Sequence, residues 1–60
     1  MNKDTKLILA VLIRKEFDSL EYHQLEDAAP KLIAAASEIG LNKLAAEMRS
    51  DLNFELKRKS

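Results

Sequence analysis

Apolar positions along the chain fall into three stretches with helical spacing, and the first differs from the other two. Ala10, Ile13, Phe17 and Leu20 recur at intervals of three, four and three, which puts them on one face of a helix. Superimposed on that stripe, the run Leu7-Ile8-Leu9-Ala10-Val11-Leu12-Ile13 leaves no polar side for nearly two turns. A helix that is apolar all round is normally enclosed on more than one side. The pattern predicts a first helix over about residues 4–23. It would start near Asn2 or Asp4, where Asp4 can cap orphan amides and its charge suits the positive end of the helix dipole.

The second stretch predicts a helix over about residues 27–39, with Leu32, Ile33, Ala36 and Ile39 as its apolar face. Asp27 as N-cap would place Pro30 in the first turn, where a missing amide proton does little harm. Gly40 suits the left-handed position that commonly ends a helix. An earlier start competes with this one, because Asp18-Ser19-Leu20-Glu21 has capping-box spacing. Helix one would then stop near Phe17, and the next would run from Ser19, bent or broken at Pro30.

The third stretch predicts a helix over about residues 42–57, capped by Asn42, with Leu41, Leu44, Ala45, Met48, Leu52 and Leu56 as its stripe. Lys57, Arg58 and Lys59 fall at the negative end of its dipole, a stabilising place for cations. The short connection at Gly40 makes helices two and three neighbours. Ala34, Ala35, Ala36, Ala45 and Ala46 would let them approach closely.

A rival reading turns residues 7–13 into a buried β-strand. With no second strand candidate in the chain, it would pair with a copy of itself, as in ribbon-helix-helix DNA-binding dimers. Such strands alternate polar and apolar residues, and this run does not. The expected fold is therefore an all-α, three-helix chain, a single helical domain over residues 1–60 forming a bundle completed by self-association.

Composition sharpens that expectation. A chain of 60 residues buries only roughly 60% of its unfolded surface. Small scaffolds lean on disulfides, metals or partner chains. Cysteine is absent and His23 is the only histidine, which leaves a partner chain as the common support. A homo-oligomer follows, with a dimer favoured, and a further protein partner of unknown identity. Lys3 and Lys6 before the apolar run resemble a signal-peptide start, but Arg14-Lys15-Glu16 ends the run and no cleavage site follows. Seven apolar residues fall far short of the roughly 20 needed to span a bilayer. A soluble, cytoplasmic protein without membrane association is expected.

Ten basic and ten acidic side chains cancel, whereas nucleic-acid binders usually carry a basic excess. His23 with Glu26 and Asp27 has helical spacing for a metal edge. Three ligands from one helix rarely converge, and structural zinc takes four, so a solvated histidine is the preferred reading. The carboxylates Glu16, Asp18, Glu21, Glu26 and Asp27 read as a solvated face or a docking surface for a basic partner. Ser19, Ser37 and Ser50 have no recognisable base beyond His23, and no glycine-rich loop is present to cradle phosphate. No enzymatic activity, cofactor or metal is expected.

These residues point to a non-enzymatic protein–protein interaction module, such as a small self-associating regulator or adaptor of bacterial or phage type. The apolar run 7–13 with Phe17 and Leu20 would carry the association, Leu9, Leu12 and Ile13 foremost within the run, and Phe54, two residues past Leu52 and off the main stripe, is a further interface candidate. The alternative is a small helix-turn-helix transcriptional regulator. Its contacts with DNA would come from Asn42, Lys43 and Arg49, aided by Lys57, Arg58 and Lys59.

Overall fold

The structure is a computed structural model that describes residues 2–59, Lys59 by its backbone only. Among the described residues the chain is all-α and forms three helices: α1 (Lys3–Asp18), α2 (Tyr22–Glu38) and α3 (Asn42–Lys59). The first break falls at residues 19–21, earlier than the expected end of helix one at residue 23.

The capping chemistry explains where the breaks fall. Asn2 opens α1, its side-chain carbonyl accepting from the Thr5 amide at 2.8 Å, while Asp4 lies inside the first turn. Ser19 closes it: its amide donates to the Lys15 carbonyl at 3.1 Å, and its hydroxyl donates to the Glu16 carbonyl at 2.8 Å. Ser19 thus ends one helix instead of starting the next. The start of α2 is marked by Glu21, whose amide donates to Oε1 of Gln24 at 2.9 Å. That Glu-to-Gln spacing lies one turn beyond the capping-box candidate at Asp18–Glu21.

Pro30 sits inside α2, not in its first turn as the sequence suggested. An interior proline removes one backbone hydrogen bond, here the one to the Glu26 carbonyl, and costs about 3 kcal/mol relative to alanine. Its position is exposed, so water can reach the freed carbonyl. The helix tolerates it because burial on both sides of the proline, at Leu25, Ala29, Ile33 and Ala36, holds the two halves against α3.

Gly40 ends α2 with φ +88°. The Leu41 amide donates to the Ala36 carbonyl at 2.8 Å and the Gly40 amide to the Ser37 carbonyl at 3.1 Å, the paired bonds of a Schellman motif. The Leu41 carbonyl in turn accepts from the Ala45 amide at 2.9 Å. Leu41, not Asn42, therefore occupies the N-cap position of α3, and Asn42 is its first helical residue.

α2 and α3 form an antiparallel hairpin. Leu25 at the start of α2 lines the same groove as Asp51, Phe54 and Arg58 near the end of α3, so the helices stay side by side along their length. Ala29, Ala36 and Ala45 are buried between Ile33, Met48 and Leu52, and these small side chains permit the close approach. Ala34, Ala35 and Ala46 lie outside that seam, exposed. α1 runs back alongside α3: Lys6 lies near Gly40 at one end, and Arg14 bonds Asp51 toward the other. Among described residues no polar side chain is buried, so the core is held by apolar packing alone.

Candidate functional site

The outer face of α1 is the least explained surface of the fold. At roughly 100° per residue, Leu7, Ile8, Val11 and Leu12 share one side of the helix, and Ile13 and Phe17 share the opposite side, with Leu20 in the break that follows. The inner side meets the hairpin: Phe17 is 7% exposed, and Ile13 and Leu20 pack against the same core. The outer side is exposed, with Leu7 65%, Ile8 59%, Val11 58% and Leu12 56% exposed. Scattered exposed apolar residues are ordinary, whereas four adjacent ones form a contiguous patch of the kind that marks interaction surfaces.

Polar groups frame that patch. Asp4 and Lys15 lie on the same line of the helix as Ile8 and Val11, one turn before and one turn after them. Both are exposed, and among the described residues neither makes an ion pair. Arg14 lies beside the patch and is already engaged. Its Nη2 is 2.8 Å from Asp51 and its Nε 3.2 Å from Asp18, and the guanidinium lies 5.5 Å from the Phe17 ring centre. Its hydrogen bond to the Asp51 carboxylate, reinforced by Asp18, raises its pKa further, so this cation is permanent. It clips α1 to α3 and is not available to a partner.

The residues singled out from the sequence therefore divide. Leu12 lies on the outer patch. Ile13, Phe17 and Leu20 are intramolecular core, and Leu9 is partly buried. Their stripe is real but is covered by α2 and α3. Leu7, Ile8 and Val11 belong to the outer patch and were not singled out individually. The signal that would have found them was present: they fall opposite the Ile13–Phe17–Leu20 stripe.

Phe54 stands apart at 63% exposed, on the rim of an open groove of about 380 Å³ between the end of α1 and the α2–α3 hairpin. Tyr22 is also on this groove, and charged Asp18, Asp51, Glu55 and Arg58 surround it. Asn42, Lys43, Arg49, Lys57 and Arg58 are all exposed along α3, and Arg58 is paired with Glu55 at 3.2 Å. The Lys59 side chain lies outside the described residues.

His23 faces Glu21, with Nδ1 3.6 Å from Oε2, and both side chains are largely solvated. Among the described residues no group of three or more histidines, cysteines or carboxylates converges to hold a metal ion. No helix among them is long and apolar enough to cross a membrane. No family model, curated protein or solved structure matches the chain.

Proposed function

We propose that this chain is a non-enzymatic protein–protein interaction module, a small self-associating protein of regulator or adaptor type, whose working surface is the outer face of α1. One observation carries the reading: Leu7, Ile8, Val11 and Leu12 are exposed together on the side of α1 opposite the core. A helix with two apolar faces has two surfaces to bury, and the hairpin covers one.

Magnitudes make self-association reasonable without making it tight. Fully burying one such side chain contributes about 1.5–3 kcal/mol. Covering the exposed parts of both copies' patches would gain about 6–12 kcal/mol gross. Association costs about 4–15 kcal/mol in lost freedom. The balance supports a dimer of modest affinity, one that responds to concentration or gives way to another helix presented by a partner.

Sedimentation equilibrium over a wide concentration range tests the reading, on the native chain and on Val11→Glu. The native chain is expected to shift from monomer to dimer as concentration rises. The variant is expected to remain monomeric with unchanged helicity, because position 11 bears no core contact. A native chain that stays monomeric up to millimolar concentration sinks the proposal.

A further inference from the structure

The polar frame of the α1 patch specifies how a second copy would sit on it. Asp4 and Lys15, Leu7 and Leu12, and Ile8 and Val11 are each placed symmetrically about one point between Leu9 and Ala10. We propose that the outer face of α1 pairs with the same face of a second copy in an antiparallel, two-fold arrangement centred on that point. The inference rests on the self-association reading above and fixes its geometry.

In this register Ile8 of each copy packs near Val11 of the other, and Leu7 and Leu12 flank that contact on opposite edges. Asp4 of each copy meets Lys15 of the other, so two ion pairs close the two ends of the apolar patch. A two-fold interface uses the same surface on both copies, as this self-complementary pattern requires. The parallel arrangement uses the same apolar residues but places Asp4 against Asp4 and Lys15 against Lys15, two like-charge contacts. Antiparallel pairing also sets the positive end of each helix dipole beside the negative end of the other. The apolar residues supply adhesion and the charges choose the direction, a division of labour familiar from helix pairs in which flanking charges set orientation.

Charge exchange and cross-linking test this directly. Asp4→Lys alone and Lys15→Glu alone each replace two attractive contacts with two repulsive ones, and each is expected to weaken the dimer about tenfold at low salt. The double exchange, Asp4→Lys with Lys15→Glu, restores the pairs and is expected to return affinity to near the native value. In a parallel dimer, none of the three changes the balance of like charges. Circular dichroism of each variant at low concentration separates lost pairing from lost helix, since both positions also interact with the helix dipole.

The chain has no cysteine of its own, so single cysteines can be placed without background. Asp4→Cys mixed with Lys15→Cys is expected to link through a short bismaleimide. Asp4→Cys alone is not, because in the antiparallel register its two copies lie roughly 16 Å apart along the axis. Linking of Asp4→Cys to itself, or a double exchange that does not restore the dimer, overturns the antiparallel arrangement while leaving self-association intact. A native chain that never dimerises overturns both.

Discussion

In the α2–α3 hairpin most large apolar side chains are buried in the core or packed against it, with Tyr22, Ile39 and Phe54 as the exceptions. In α1 the apolar residues are divided between two opposite faces, and only Phe17 is buried. The two regions are made of similar residue types and similar helix lengths. What differs is how many surfaces each offers. The hairpin closes on itself, while α1 closes with one side and presents the other. Helical content therefore says little about whether a helix is satisfied; the angular spread of its apolar residues says more.

Substitutions on the two regions should separate accordingly. The largest effect is expected from Met48→Ala, which opens a cavity at a fully buried position and should destabilise the chain by about 2–5 kcal/mol, read by chemical denaturation at low concentration. Pro30→Ala should act in the opposite direction. It restores an amide donor inside α2 and is expected to raise stability by about 1–2 kcal/mol, after allowing for the greater freedom of the unfolded chain. Gly40→Ala should cost about 1–2 kcal/mol because of the left-handed backbone. Its added carbon would also meet Lys6 Nζ at 3.0 Å, which the flexible lysine can relieve.

Smaller still, Asp51→Ala removes an exposed ion pair and should cost less than about 1 kcal/mol globally. Hydrogen exchange should nonetheless speed up in α1 more than in the hairpin, since Arg14–Asp51 ties the two together. At the bottom of the scale, Ile8→Ala should change monomer stability by no more than about 0.5 kcal/mol while weakening self-association. A loss comparable to that of Met48→Ala would mean that the outer face of α1 is part of the core after all, and would erase the contrast between the regions.

Much of the fold is legible in the sequence, for local reasons. Gly40 as a helix stop, the stripe from Ala45 to Leu56, and the inner face at Ile13 and Phe17 follow from spacing and backbone preference and are found in the structure, whereas Leu20 reaches the core from the break after α1. Pro30 misled because propensity argues against proline inside a helix, and tertiary burial on both sides of it outweighs that preference. Reading it as a helix start hid Leu25 and Ala29, which lie N-terminal to it and are core. The candidate site was legible only as a region. The all-apolar run 7–13 announced two faces, but spacing alone does not say which one the chain keeps for itself. From spacing alone the inner stripe reads as a partner surface, because the hairpin that covers it is assembled from distant sequence. Positions 9 and 13 would consequently be poor places to probe association, since charge at Ile13 would disturb the core first.

The Arg14–Asp51 clip spans 37 positions along the chain, and this has a consequence for the order of events during synthesis. Partners in the α2–α3 seam lie close in sequence on either side of Gly40, so the hairpin has the low contact order of fast-folding helical structures. α1 leaves the ribosome before α2 and α3, the two helices that receive its inner side. Until α2 and α3 emerge, both of its apolar sides are bare. The apolar surface of α1 is therefore most exposed before the hairpin forms, and the folded chain keeps Leu7, Ile8, Val11 and Leu12 uncovered.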